Sequence, residues 1–354
     1  MSDYGALVAE NRYNSSHQRL NPAATEAIDG SSGNACDISF VIVSWNAMEY
    51  LSRCLISLRQ AAAGLRSEVI VVDNGSTDGS WQMVRDEYPD VRLLRNANNA
   101  GFAAANNKGI DISNGRYVCL INSDVEVFPD TVRVLLEYMD GHPDVGIIGP
   151  KVLNTDLSLQ YSCRTLPTLS DSFFRALKLD TTFPNSSFFG SHQMMNWDYS
   201  YTREVEILSG CFWMIRRKAL EDVGPLDDRF FIYGEDMDFC RRFHTSGWKI
   251  IFHPEAQIVH HGGASSANDP ARFWIEMQRA NLQYWLKHNG RASTLTYYSC
   301  LLLHNLVRVI FFGGQSLIQR RGQDSLGIKL EKSRRGLLWL LSHNTVMWLT
   351  GGEH

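Results

Sequence analysis

The chain has 354 residues, 44% of them hydrophobic and 20% charged, a globular balance that excludes wholesale disorder. Lys and Arg number 34 against 38 Asp and Glu, for a formal net charge of -4, without the basic excess of a nucleic-acid binder. The 7 cysteines are scattered and form no CxxC pair, which argues against a disulfide scaffold or zinc ribbon and fits a reducing cytosol.

Residues 1–36 contain no apolar core of signal length and read as a flexible tail. From Ile38 the pattern becomes regular. An apolar, β-branched run over 38–43 predicts a buried strand. Helical spacing follows over 49–63, with Tyr50, Leu51, Leu55 and Leu58 on one side. Further strands are expected over 68–72, 91–94, 117–121 and 145–148. Helices are expected over 80–88, over 101–112 and from Pro129 in a first turn to about Met139. Strand and helix alternate at short spacing, which predicts an α/β fold with a mostly parallel sheet covered on both faces. Ligands bind such sheets beyond the carboxyl ends of the strands. Three polar clusters stand there: Ser44-Trp45-Asn46, Asp73-Asn74-Gly75-Ser76 and Asn122-Ser123-Asp124.

The region 151–265 is less regular and reads as an α+β half that finishes the sheet. Strands are expected over 211–215, 250–252 and 257–259, and helices over 234–246 and 271–288. From residue 291 on, bases outnumber acids eight to three. These bases stand beside Phe311, Phe312, Leu337, Leu338 and Trp339, the pattern of helices lying on an anionic membrane surface. A helical cap on the catalytic half, or an oligomer contact, gives the same pattern. The apolar stretch 295–312 is broken by His304, Asn305 and Arg308, so a spanning helix is not expected.

Nucleotide-binding loops of the GxGxxG and GxxxxGK[ST] types are absent, as is GxSxG, which lowers the oxidoreductase, NTPase and hydrolase classes. A carboxylate at Asp73 can accept from the ring N–H of a uracil or thymine, although alone the segment is turn chemistry. Asn122-Ser123-Asp124 with Glu126 offers oxygen ligands to a hard cation such as Mg²⁺ or Mn²⁺, or simply caps a turn. Glu235, Asp236 and Asp238 open a predicted helix, where the dipole favours acids. Three acids exceed what capping needs, and one can serve as a general base. His260-His261 follows a short strand, and an imidazole beside a metal site is a credible ligand.

In this order, the segments VIVSWNAMEYLSRCLISL, VIVVDNGSTDGS, NNAGFAAANNKGI, YVCLINSDVEV, SGCFWMIRRKAL, FFIYGEDMDFCRRFHTSGWKI and VHHGGASS resemble the inverting glycosyltransferase family 2 with the GT-A fold. Within it the chain looks most like the bacterial rhamnosyltransferase branch, over about 38–290. The resemblance implies a domain at 37–290, with a nucleotide-binding half (37–150) and an acceptor half (151–290), and an amphipathic helical tail at 291–354. It places Ser44 and Asn46 against the nucleotide, Asp73 on the base, and Asn74 and Ser76 beside it. Asn99, Gly101, Phe102 and Asn106 match the segment lining the ribose and sugar. Asn122, Ser123 and Asp124 match the DxD metal motif, with Asn122 in place of its first acid. Asp124 is then the main metal ligand and His260, rather than His261, a second. Asp236 matches the catalytic base, with Glu235 beside it.

The implied reaction is a single displacement with inversion that uses Mg²⁺ or Mn²⁺. The implied donor is dTDP-L-rhamnose or, as the alternative, a UDP-hexose. The implied acceptor is a lipid-linked sugar or a surface polysaccharide, at the cytoplasmic face of the membrane. Two rival classes are a nucleotidyltransferase and a non-catalytic sugar-nucleotide-binding subunit. The first lacks a Lys or Arg in Ser44-Trp45-Asn46, and the second rests on Asn122 alone.

Overall fold

The computed structural model describes residues 36–262, 269–318, 324–342 and 345. The expected flexible tail, apart from Cys36, lies outside them, as do Arg320 and Arg321. The β-branched strand β1 (Ile38–Ser44) is almost wholly buried, and helix α1 (Met48–Ala61) buries Leu51, Leu55 and Leu58 against the sheet. The alternation continues through β2 (Ser67–Asp73), α2 (Ser80–Glu87), β3 (Arg92–Arg95), α3 (Phe102–Asp111), β4 (Tyr117–Asn122), β5 (Val125–Val127), α4 (Thr131–Gly141) and β6 (Val145–Leu153). Pro129 stands ahead of the N-cap residue Asp130 rather than inside the first turn of α4.

The second half comprises β7 (Cys163–Arg164), α5 (Leu169–Ala176), α6 (Leu179–Thr182), β8 (Arg203–Glu204), β9 (Ile207–Leu208), β10 (Phe212–Arg216), α7 (Arg217–Val223), α8 (Glu235–Thr245) and β11 (Lys249–His260). Two long helices, α9 (Pro270–Ile318) and α10 (Asp324–Leu340), follow. The two short strands expected over 250–259 are one strand, β11. Pro254 cannot donate to the ladder, and β11 absorbs it as a register shift between His253 and Gln257 against β6.

Among the described residues, nine strands form one sheet in the order β3-β2-β1-β4-β10-β6-β11-β5, with β8 paired to β11. β3, β2, β1 and β4 run parallel, as do β6 and β11, while β10, β5 and β8 run against them. Apolar side chains alternate across the sheet, as strand periodicity requires. In β4, Val118 and Leu120 join the cluster under α3 and α8, whereas Tyr117, Cys119 and Ile121 join the one under α1 and α4.

Register decides where the polar loops meet. Ser44 pairs with Asp73, and Val43 with Asn122, so β1, β2 and β4 end level. His260 of β11 pairs with Val125 of β5, next to Asp124. The antiparallel β10 starts at the same edge, with Phe212 opposite Ile121.

α9 is two helical segments that meet at a kink at Gly290, whose φ of 73° and ψ of 173° are not helical; Tyr297 of the second segment stacks on Trp285 of the first at 5.1 Å between ring centroids. By length and composition α9 can cross a membrane, and 28% of its most apolar window is buried. The polar residues that break this stretch turn inward. Asn305 accepts from Trp274 Nε1 (3.1 Å) and donates to Gln278 Oε1 (2.6 Å), and Arg308 Nε donates to Ser333 Oγ of α10 (3.0 Å). Leu306, Ile310 and Phe311 of α9 and Leu338 of α10 face outward, exposed.

One loop shows how tightly the halves are joined. Gly101 has φ +89°, and a Cβ there would sit 2.5 Å from the carbonyl oxygen of Phe231. The Phe102 N–H donates to that same oxygen at 2.7 Å. Gly101→Ala is therefore expected to lower stability by roughly 1–3 kcal/mol in urea denaturation. Gly64→Ala should cost less, because Gly64 shares a positive φ (+79°) but has nothing within 4 Å. Equal losses would remove the Phe231 contact as the cause.

Candidate active site

The level strand ends open onto one cavity of about 580 Å³. Asn74, Asn99, Gly101, Phe102, Asn122, Ser123, Asp124, Glu235, Asp236 and His260 all line it. Trp45, which sequence reasoning did not single out as a site residue, lines it too. Ser44, Asn46, Asp73, Ser76 and Asn106 are not among its lining.

Asn46 is exposed, and its side-chain oxygen accepts from the Thr77 backbone N–H at 2.8 Å. Its own N–H donates to Ser76 Oγ at 3.0 Å. This pair ties the first two loops together. Asn106 is buried within α3, where its amide donates to the Phe102 carbonyl at 2.9 Å. Asn74 uses its whole amide: it donates to Asn99 Oδ1 (2.9 Å) and to the Gly101 carbonyl (3.2 Å), and it accepts from Asn96 Nδ2 (2.9 Å) and Ala100 N (3.0 Å). These amides build the loops that shape the cavity.

Asp73 and Ser44 are different. Both are buried, and they are register partners. Asp73 Oδ2 accepts from the Ser76 N–H at 3.3 Å and lies 3.9 Å from Arg95 Nε. Asp73 Oδ1 and Ser44 Oγ have no partner. Buried polar atoms are rarely left so, and the pair leaves an acceptor beside a hydroxyl without a partner among the described residues.

At the end of β4, Asp124 Oδ1 lies 3.3 Å from His260 Nε2. Burial works to raise the Asp124 pKa, but the hydrogen bond and charge of His260, with that of His261, outweigh it and hold the carboxyl below its ordinary value. Gln160 fixes the tautomer. Its amide nitrogen donates to Asn154 Oδ1 (2.9 Å) and to the His260 carbonyl (3.3 Å), so its oxygen receives Nδ1–H of His260 at 2.7 Å. With Nδ1–H committed to Gln160, Nε2 is the ring nitrogen that faces the Asp124 carboxylate. Such a pair can share a proton or a cation. A hard cation held by one carboxylate and an imidazole, with its remaining positions filled by phosphate oxygens and water, fits this donor set. Among the described residues no group of three His, Cys, Asp or Glu surrounds a common point. His261 pairs instead with Glu126 at 2.8 Å. Asn122 Oδ1, where the motif has its first acid, is buried without a partner.

The three acids of α8 separate cleanly. Tyr233 and Gly234 take φ of 67° and 79°, which turns the chain sharply so that the first helical turn faces the cavity. Asp238 is fully buried against Arg242 (2.9 Å), His288 (2.7 Å) and Lys287 (2.5 Å), as a structural ion cluster. Glu235 and Asp236 face the cavity. Asp236 Oδ1 accepts from the Met237 N–H at 2.8 Å. Glu235 Oε2 has no partner, and burial followed by the charge of Asp236 pushes its pKa up to about 8. It remains a neutral acid near neutral pH.

The cavity at the strand ends thus has a carboxylate–imidazole pair and two further acids in its lining. Residues 39–224 match the family described as Glycosyl transferase family 2. The chain belongs to that family and has its GT-A fold. It is 32% identical over 242 residues to an N-acetylglucosaminyl-diphospho-decaprenol L-rhamnosyltransferase of Mycobacterium tuberculosis, covering 65% of this chain and 78% of that one. It is 26% identical over 210 residues to a low-salt glycan biosynthesis hexosyltransferase of Haloferax volcanii, covering 58% and 61% of the two chains. A solved mannosyltransferase from Pyrobaculum calidifontis, in complex with GDP-Man and Mn²⁺, aligns with a TM-score of 0.47 at 16% identity, covering 98% of this chain and 91% of that one.

The state of Glu235 has a measurable consequence. Its folded pKa lies near 8, against 4.5 for an ordinary glutamate. The folded protein therefore binds the extra proton, and the associated stability declines as pH rises from about 4.5 through 8. Glu235→Gln mimics the protonated form and removes this slope. Between pH 5.5 and 8.5 the wild type should lose at least roughly 2 °C more of its unfolding temperature than the variant. Parallel losses would show that Glu235 ionises normally.

Proposed function

We propose that the protein is an inverting glycosyltransferase that transfers L-rhamnose from dTDP-L-rhamnose to a hydroxyl of a lipid-linked acceptor or growing polysaccharide. The observation that carries this reading is the union in one cavity of the Asp124–His260 pair with Glu235 and Asp236. The donor's base would meet Asp73 and Ser44, whose unpartnered oxygens suit a thymine or uracil N–H and a neighbouring group. A Mg²⁺ or Mn²⁺ held by Asp124 and His260 would neutralise charge on the donor's diphosphate.

Asp236 takes the proton of the acceptor hydroxyl as that oxygen bonds to the anomeric carbon from the face opposite the diphosphate. The bond to the diphosphate breaks, the nucleoside diphosphate leaves with the electron pair, and configuration inverts. Neutral Glu235 is placed to donate a hydrogen bond rather than to compete for the proton. The relative named for a diphospho-decaprenol acceptor and L-rhamnose supports the sugar and the lipid-linked acceptor. A UDP-hexose is the second reading, favoured by the relative named as a hexosyltransferase.

The tail supports a peripheral place on the inner face of the cell membrane. Phe173, Leu177, Phe183 and Phe188 around α5 and α6 are exposed as well, and Lys178 Nζ, between α5 and α6, lies 3.8 Å from the Phe311 ring. Contiguous exposed apolar surface marks an interaction site, and its basic flanks, Lys329, Arg334 and Arg335, suit anionic lipid. The inward polar seam of α9 holds the helix on the catalytic half, so it lies on the bilayer.

Three outcomes test this reading. Asp236→Asn should retain donor binding but lower transfer from dTDP-L-rhamnose by about 10²–10⁴-fold, with the wild-type product carrying inverted anomeric configuration by NMR. Transfer within tenfold of wild type would remove Asp236 as the base. Asp124→Ala should weaken donor binding in Mn²⁺ but change it little in EDTA; equal affinity of variant and wild type in Mn²⁺ would remove Asp124 from the metal site. In sedimentation with phosphatidylglycerol vesicles, replacing Ile310, Phe311 and Leu338 together by Gln should weaken binding by about tenfold or more. Unchanged sedimentation would move this surface to an oligomer contact.

A further inference from the structure

The cavity does not end at Glu235 and Asp236. It runs on beneath the inner face of α9 to a second end, lined by Arg164 of β7, Arg175 of α5, His192 and His304. These residues come from four separate parts of the chain. His304 is 8% exposed; its Nδ1 donates to the Arg175 carbonyl at 3.2 Å, and its Nε2 is buried without a partner. His192 Nδ1 is likewise buried and unpartnered. Burial, then the charges of Arg175 and Arg164, press the His192 pKa down to about 4. Burial, then Arg308, does the same to His304, also to about 4.

Acids offset part of this charge. Arg175 Nε pairs with Asp180 at 3.4 Å. Asp171 also lines the cavity, but its carboxylate is engaged by the N–H and hydroxyl of Thr168 in a capping box. The Arg164 and Arg175 guanidinium groups supply charged donors at the cavity wall that an anion can accept from, and Nδ1 of neutral His192 can add a hydrogen bond from its own N–H. The adjoining wall is apolar: Trp274, Met277, Trp285, Tyr297 and Leu301 line the cavity beside them.

The two ends differ in chemistry. The end at Asp124 and Asp236 carries carboxylates and accepts a diphosphate only with a cation. The far end supplies guanidinium donors of its own.

We propose that the far end binds the phosphate or diphosphate of a lipid-linked acceptor, with the Trp274–Leu301 wall taking the first apolar segment of its lipid chain. The acceptor's sugar then reaches toward Asp236 along the same cavity. This rests on the glycosyltransferase reading and adds the place and chemistry of acceptor recognition. It also gives α9 two roles: its inner face closes the acceptor site while its outer face meets the bilayer that holds the acceptor.

The test is calorimetry on the full chain in EDTA, with farnesyl diphosphate, farnesol and inorganic pyrophosphate as probes. Farnesyl diphosphate should bind at least about tenfold more tightly than either of the other two. Arg164→Gln and Arg175→Gln should each weaken it about tenfold or more, with unfolding temperature and Mn²⁺-dependent dTDP binding unchanged. Wild-type affinity in both variants, a strict need for Mn²⁺, or pyrophosphate binding as tight as farnesyl diphosphate would each overturn the proposal. If dTDP still binds with Mn²⁺ in those cases, only the acceptor site falls. If dTDP fails to bind the wild type, the glycosyltransferase reading falls with it.

Discussion

Parallel pairing of β1 with both β2 and β4 brings three strands to a level end, and the chemistry of the site depends on that register. Ser44 opposite Asp73, and Val43 opposite Asn122, fix the three polar loops on one rim. A slip of one residue would turn every side chain of a strand to the other face, taking Asp73 out of line with Ser44. The register is enforced from both sides, because β1 and β4 are buried on both faces and tolerate no such exchange. β11 brings His260 to the same edge from the far side of the sheet, so the imidazole that faces Asp124 is set by a ladder and not by a loop.

Charge is distributed on this frame according to use. Asp238 is the deepest acid of α8, and three basic side chains hold it. Glu235 and Asp236, each nearly two turns of helix from Arg242, are left to each other and to the cavity. Burial alone would make such a pair costly, and protonation of Glu235 relieves it. Asp124 faces His260, whose Nδ1–H is committed to Gln160. Both arrangements lie in the same cavity.

Much of this was legible in the sequence, for reasons that are local. The alternation of strands and helices, the turn chemistry at Asp73-Asn74-Gly75-Ser76 and the acids opening α8 are patterns of a few consecutive residues. The separation of Asp238 from Asp236 was not legible, since its partners Lys287 and His288 lie about fifty residues on. Asn46 and Asn106 read as ligand contacts, and in the fold their side chains also bond Thr77 and Phe102, partners that a short amide does not reveal in a sequence. Gln160 carried no signal, because its role is defined only by His260 across the sheet. The far end of the cavity was invisible for the same reason. Arg164, Arg175, His192 and His304 share no motif and meet only when α9 folds back over α5.

The central claim is that the rim formed by β1, β2 and β4 binds a nucleoside diphosphate with help from a divalent cation. Its most direct test is thermal unfolding of the purified chain with dTDP, UDP, GDP or ADP, each with and without Mn²⁺, since a ligand that binds the native state raises its stability in proportion to affinity. The account predicts the largest rise with dTDP, with UDP next, and a rise that grows when Mn²⁺ is added. No shift with any of the four, in either condition, would contradict it.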